Sequence, residues 1–424
     1  MKTNRRNFLR SGLFAALGST VLSSCNSPVG KFDTNASADY HSLDEALDQP
    51  VLKREMFPDP VIIESCELLE YNGNYVCRVR SKDGAEGHCV SHNIRMPHLF
   101  PMQVLRVNPF FVGKDARDLD MLVDEGIMMY QNNYKYQGYA LWIPLATAEM
   151  AILDMLGRIA GISMGELIGE IHNTDIAIYQ ANNNRGLSAE ESIERIKKTQ
   201  QETGAKAVKF KIGGRRSLPE EPPGRTERLI PMVREAFDSD ITIYADCNGS
   251  YDNAEEAIRV GKILEANKID MYEQPVPTDY YEAWKATADA LNLPIGSGGG
   301  EVSIRNFRWL IAHDAVQMVQ QDLFYFGGMI RCMKVARMAE KKGYLCTPHI
   351  SGTGLGYIYM MQFVSVIPNA GPYHEFKGVN RTIPFECETS SLKPENGILH
   401  LPGGIGSGVE IDPDFLKKHT VIKM

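Results

Sequence analysis

Between Asp175 and Phe376, short apolar segments alternate with amphipathic ones. The strand-like segments are Ile176–Gln180, Ala207–Ile212, Ile241–Asp246, Met271–Glu273, Pro294–Ile295, Ala315–Gln321, Tyr344–Pro348 and Pro372–Phe376. Helical periodicity fills the gaps, at Ala189–Thr203, Thr226–Phe237, Ala254–Ala266, Ile304–Ala312 and Met329–Lys342. Parallel neighbours need a crossover, and a helix is the usual one. Eight such units in succession predict an α/β fold built as a parallel, closed (β/α) barrel, of the TIM type. A doubly wound open sheet is the competitor. It calls for Gly-x-Gly-x-x-Gly after an early strand, and that motif is missing. No phosphate loop ending in Lys-Ser or Lys-Thr occurs either, so Gly296–Gly300 reads as a turn.

The rest of the chain reads differently. Residues 1–25 carry Arg5-Arg6, an apolar run from Ser11 to Leu22, and Leu22-Ser23-Ser24-Cys25. This pattern predicts twin-arginine export to the periplasm and a lipid anchor on Cys25, the only membrane contact expected. Residues 26–59 are polar and predict a tether. From Val61 to Val90 two turns, at Tyr71–Asn74 and Asp83-Gly84, divide a three-stranded antiparallel meander. Helices are expected over Asp115–Met129 and Leu145–Ala160. The second is apolar nearly all round and should be buried. Residues 60–175 thus form an α+β unit, 176–390 the barrel, and 391–424 a C-terminal segment. Seven further cysteines at irregular spacing predict buried free thiols rather than a disulfide framework. Cys66, Cys77 and Cys89 are near enough in sequence to pair if their strands are adjacent. A net charge of −8 argues against a nucleic-acid partner.

In a barrel of this kind, chemistry sits where strands end and loops begin. Those points carry Lys209 and Lys211, Asp246 with Asn248, Glu273, Glu301, Asp322, His349 and Glu375. From Lys211 onward the steps are 35, 27, 28, 21, 27 and 26 residues. A βα unit takes about 30. One acid or base per unit, at the same end of each strand, is hard to explain as solvated loop charge. Asp246, Glu273 and Glu301 come from consecutive strands about 4.8 Å apart. Three such carboxylates repel unless a hard cation joins them, and oxygen ligands favour magnesium, with manganese as the alternative. Asp322 can orient His349 as a base. Lys209 and Lys211, two apart on one strand, share a face. Burial together should push both ammonium groups down in pKa, towards a useful base. Glu375 is placed to hydrogen-bond a substrate if protonated. Metal and ammonium groups would stabilise the dianion formed when a proton leaves the carbon beside a carboxylate.

Here the sequence resembles the enolase superfamily, in its mandelate racemase-like branch within the mandelate racemase/muconate lactonizing enzyme family. The resemblance runs from about Val61 to the C-terminus. It rests on Lys209-Phe210-Lys211, Asp246-Cys247-Asn248, Glu273-Gln274-Pro275, Gly300-Glu301, Gln321-Asp322-Leu323, Phe326-Gly327-Gly328-Met329, Pro348-His349 and His374-Glu375-Phe376. Ala148–Asp154 and Leu167-Ile168-Gly169 are similar to the family's entry into the barrel. The resemblance implies an α+β capping domain over the barrel, completed by the C-terminal segment. It implies magnesium on Asp246, Glu273 and Glu301. It also implies Lys211 and His349 as the two acid/bases, Lys209 beside the substrate carboxylate, and Glu375 as an electrophilic donor.

Two opposed bases allow dehydration of a sugar acid to a 2-keto-3-deoxy acid, or racemisation and epimerisation. Acid-sugar dehydratases are numerous in that branch, so dehydration is the first expectation. A non-catalytic sugar-acid binding lipoprotein is the reading from a different class. The polar stretches Ser91–Phe100 and Gln131–Tyr139 should cover the barrel mouth, with His92, Arg95, Lys135 and Tyr136 as substrate contacts beside Asn248. The expected partner is a small carboxylate, and a homo-oligomer is expected.

Overall fold

The computed structural model describes residues 39–350, 354–379 and 382–424. Arg5-Arg6 and Cys25 lie outside these. The described chain begins with helix α1 (His41–Asp48), in the segment expected to be a tether. Instead, Leu43, Ala46, Val51, Leu52 and Phe57 are buried. Leu43, Ala46 and Leu47 repeat at helical spacing, so even this polar stretch presents an apolar stripe. Arg308 grips both carboxylate oxygens of Asp44, and its guanidinium lies 4.0 Å over the ring of Tyr40.

Strands β1 (Ile63–Tyr71), β2 (Asn74–Ser81) and β3 (Glu86–Val90) form the antiparallel meander. Asn72 and Gly73, at φ 50° and 75°, make the first turn. Cys66, Cys77 and Cys89 are free and buried, with the Cys66 and Cys77 sulfurs 3.9 Å apart. Where a continuous helix was expected over Asp115–Met129, the backbone passes through short 3₁₀, α and π turns. Leu119, Leu122, Val123 and Ile127 keep a common buried face. Gly126 weakens helix continuity there.

Helix α2 (Tyr139–Ala160) is long and apolar enough to cross a membrane, yet nearly all of it is buried inside the protein. Strand β3 crosses it closely: a Cβ on Gly87 would stand 2.3 Å from the Met155 nitrogen.

The barrel strands are β4 (Asp175–Gln180), β5 (Ala207–Lys211), β6 (Thr242–Asp246), β7 (Met271–Glu273), β8 (Ile295–Ser297), β9 (Met318–Val319), β10 (Leu345–Cys346) and β11 (His374–Phe376). They run parallel, in spatial order β10-β9-β8-β7-β6-β5-β4-β11. A bridge between Cys346 and Ala370 brings the two edges together. Around them pack α3 (Ala189–Thr203), α4 (Arg225–Ala236), α5 (Ala254–Ala266), α6 (Tyr281–Ala290), α7 (Ile304–Ala312), α8 (Met329–Lys341) and α9 (Leu355–Val364). The sequence shows plainly why α3 starts and stops: Ser188 and Glu191 form a reciprocal capping box, and Gly204 ends it at φ 67°. Helices α6 and α9 escaped the periodicity reading. Helix α9 is buried at every position, so it has no polar face to mark a period.

The C-terminal segment holds β12 (Phe385–Glu386), β13 (Ile398–His400), β14 (Glu410–Ile411) and β15 (Thr420–Val421). Strand β13 adds antiparallel to β4, and β15 adds antiparallel to β1. The chain end therefore ties the barrel to the cap.

Candidate active site

The C-terminal ends of β5, β6 and β7 lie in register, with Lys211 beside Asp246 and Asp246 beside Glu273. Lys211 Nζ donates to Asp246 Oδ2. Lys209 is fully buried, its Nζ 3.0 Å from Glu273 Oε2, 3.2 Å from Glu375 Oε1 and 3.8 Å from Asp246 Oδ2. The same ammonium sits 4.9 Å over the ring of Tyr179. Glu375 also accepts from the Ile350 amide at 3.2 Å and faces Lys377 at 3.5 Å. His349 turns Nδ1 to Asp322 Oδ2 at 2.8 Å and Nε2 towards Glu375 at 4.0 Å. The other Asp322 oxygen takes the Phe324 and Tyr325 amides, each at 2.9 Å, which fixes the carboxylate.

At Lys209 the electrostatics run opposite to the expected depression. Burial would lower the Lys209 ammonium, but Glu273, Glu375 and Asp246 outweigh it and hold Lys209 well above its ordinary value. Burial would raise Asp246, yet Lys211 and Lys209 hold it well below the usual carboxylate range. Burial raises Glu273, and the charge of Asp246 adds to it. Glu375 is driven far down: burial opposes this, but Lys209, Lys377 and His349 prevail. It therefore stands as an ionised acceptor, not the protonated donor expected of it.

Glu301 does not join Asp246 and Glu273. One of its oxygens takes the Val302 and Ser303 amides at 2.7 and 2.8 Å and the Asn306 side chain at 3.2 Å; the other takes the Tyr281 hydroxyl at 2.9 Å. Both amides belong to the turn just ahead of α7, which is capped in turn by the Ser303 side chain on the Asn306 amide. Among the described residues, no three His, Cys, Asp or Glu side chains gather as they would around a metal ion. The donor set expected for magnesium is thus present in two parts, and the third is engaged elsewhere.

The sequence profile of the enolase C-terminal domain-like family matches residues 191–415. The chain belongs to the enolase superfamily. An arabinonate dehydratase of Saccharolobus solfataricus is 26% identical over 72% of this chain and 79% of its own length. A D-galactarolactone cycloisomerase of Agrobacterium fabrum is 27% identical over 64% of this chain and 72% of its own. An N-succinyl-L-Arg/Lys racemase of Bacillus cereus is 23% identical over 75% and 80%. Among solved structures, a mandelate racemase/muconate lactonizing protein from Paracoccus denitrificans, complexed with magnesium, superposes with a TM-score of 0.75. It is 23% identical, over 86% of this chain and 99% of that one. The chain is therefore an enzyme-type barrel of the mandelate racemase/muconate lactonizing enzyme family, with dehydratases, racemases and cycloisomerases as relatives.

On this enolase-superfamily frame, the substrate contacts expected from the cap divide. His92 is buried and stacks on Tyr325 at 5.4 Å, while Tyr325 stacks in turn on His349 at 6.3 Å. Burial holds the His92 imidazole below its ordinary value. Arg95 is exposed, close enough for its charge to act on His92 and Tyr139. Lys135 lies over the ring of Tyr134, and Tyr136 under Arg106. Asn248 is held by Arg185, whose Nη1 donates to its Oδ1 at 2.7 Å.

Sequence reasoning missed Tyr139, Tyr325, Gln320 and Arg185. Tyr139 packs on Tyr325 with ring centres 4.5 Å apart and planes tilted by 30°, and it donates to the Gly300 carbonyl at 3.2 Å. Gln320 donates to Glu273 Oε2 at 3.0 Å. Arg185 was within reach, because Asn182-Asn183-Asn184-Arg185 follows the first barrel strand in the same phase as the other site residues.

Proposed function

We propose that this barrel mouth binds a small polyhydroxy carboxylate and removes the proton on the carbon beside it. The observation that carries the proposal is one continuous line of polar contacts. It runs from Asp322 through His349, Glu375 and Lys209 to Asp246 and Lys211. A candidate base stands at each end, and an ammonium group lies between them to meet the charge that develops as the proton leaves. Lys211 works on one face of the substrate carbon. His349, oriented by Asp322, returns a proton to the opposite face or protonates a departing β-hydroxyl. The second choice is dehydration to a 2-keto-3-deoxy acid, and we favour it because several curated relatives are sugar-acid dehydratases. Racemisation or epimerisation uses the same two bases and is the alternative, supported by the racemase relative.

The test is a panel of sugar acids in deuterated water, with and without magnesium. Release of a 2-keto-3-deoxy acid supports dehydration. A purely inverted product replaces it with epimerisation. Binding without any proton exchange leaves only a sugar-acid binding protein.

Export and lipid attachment at Cys25 belong to the same proposal. A Cys25→Ala variant should leave the membrane fraction. A homo-oligomer is part of it too: Ile94, Leu105, Val112, Met121 and Met129 expose apolar area on the cap.

A further inference from the structure

Divalent cations of the magnesium type bind where carboxylates leave a surplus of negative charge. Among the described residues, this mouth has no such surplus. Its acids are Asp246, Glu273, Glu375 and Asp322, and Lys209, Lys211, Lys377 and Arg185 stand against them. At rest, before Lys211 gives up the proton it must lose to act as a base, the four carboxylates and four cations balance with His349 neutral, and the sum is positive by one with His349 protonated. The balance is also local. Lys211 holds Asp246, and Lys209 lies against Asp246, Glu273 and Glu375 together. Arg185 bonds Asn248 Oδ1 and the carbonyls of Ile212, Gly213 and Asp246, all neutral oxygens. Among the described residues no acid is bonded to it directly, and its charge lies beside the ends of β5 and β6.

The third carboxylate is missing for a structural reason. In the row Lys211, Asp246, Glu273, the next strand places Gly296. A Cβ on Gly296 would stand 2.6 Å from the Met271 sulfur and 3.0 Å from Gln320 Oε1, and the Gln320 amide donates to Glu273. The nearest acid downstream, Glu301, has both oxygens taken by the start of α7 and by Tyr281. An acceptor that already receives four donors has little left for a metal.

We infer that this centre supplies its positive charge from its own side chains: Glu301 is bound into the turn ahead of α7, Lys209 and Lys211 occupy the two carboxylates that remain, and a carboxylate anion is met by ammonium and guanidinium groups instead of a divalent cation. The inference rests on the mouth being a carboxylate-binding centre, but its principal test needs no turnover.

The full-length protein is titrated with Mn²⁺ alone, and free Mn²⁺ is read by its electron paramagnetic resonance. No saturable one-to-one binding is expected below about 1 mM, as for sites short of charged ligands. Lys209→Met removes the ammonium from Asp246 and Glu273, and affinity should rise at least about ten-fold. If that buried change prevents folding, Lys211→Met is read the same way. Glu301→Gln should leave the Mn²⁺ titration unchanged while lowering the melting temperature. Tight stoichiometric binding by the wild type, lost in Glu301→Gln, would overturn the inference. So would binding of D-gluconate or another panel acid that disappears in EDTA and returns with magnesium. Weak Mn²⁺ binding together with no exchange on any acid would retire the dehydratase reading and leave this inference standing.

Discussion

His349 Nδ1 stands 2.8 Å from Asp322 Oδ2, and the two residues also pair as a parallel backbone bridge. The carboxylate, fixed by two amides, leaves the ring one tautomer and one direction. Asp322→Asn should therefore slow α-proton exchange by at least about 100-fold with little change in melting temperature, because the ring would settle in the wrong tautomer. Exchange by nuclear magnetic resonance in deuterated water measures it. A rate equal to wild type would mean that His349 is no base.

Lys211 lies at the opposite end of the contact line. Lys211→Ala should abolish exchange from one stereoisomer of a substrate pair and spare the other. Equal loss from both isomers would dismiss the two-base arrangement.

His374 is fully buried, and burial pushes its imidazole down to about 4. Its folded value lies below the unfolded value of about 6.5. Between those values the unfolded chain binds the extra proton, so stability falls as pH drops from about 6.5 to 4 and is unaffected above that range. The full difference is about 3 kcal/mol for this one group. Melting temperatures of wild type and His374→Gln across this window should converge as the pH falls. Parallel curves would show that His374 is not buried neutral.

Phe57 is buried in a stretch that composition marks as linker. Phe57→Ala should cost about 3–5 kcal/mol, and urea unfolding would report it. A change under about 0.5 kcal/mol would return the segment to the role of tether.

Glu149, deep in α2, accepts the Met329 and Ile330 amides at 3.0 and 2.8 Å and so fixes the start of α8. Burial raises its carboxyl to about 8, against the pull of those two amides. Gly328 sits there at φ 111°, and a Cβ on it would lie 2.4 Å from Glu149 Oε2. Gly328→Ala should therefore destabilise by about 2 kcal/mol or more, from strain and overlap together. Thermal melts of the variant and wild type decide it.

Much of this was legible because period carries burial. The helices Ala189–Thr203, Ala254–Ala266 and Ile304–Ala312 have one wet face and one dry one, and their limits could be read directly. The carboxylates at strand ends showed themselves by phase. Phase gives a position along the chain, however, not the direction of a side chain. Glu301 keeps the rhythm of Asp246 and Glu273 yet turns to the amides of the two residues that follow it and to the Tyr281 hydroxyl. Lys209 illustrates the same limit. Two neighbouring buried lysines suggest depressed pKa values only until the acids around them are known, and those acids come from β6, β7 and β11. The aromatic wall of His92, Tyr325 and Tyr139 joins residues from three distant stretches, and no local pattern announces it.

The pairing of Thr420–Val421 with β1 sets an order in time. The first sheet of the fold is completed by a segment that follows the whole barrel in the chain. Until that segment returns, β1 keeps an open edge, a template on which another copy could add a strand. Covering that edge guards the folded chain against joining its neighbours strand to strand.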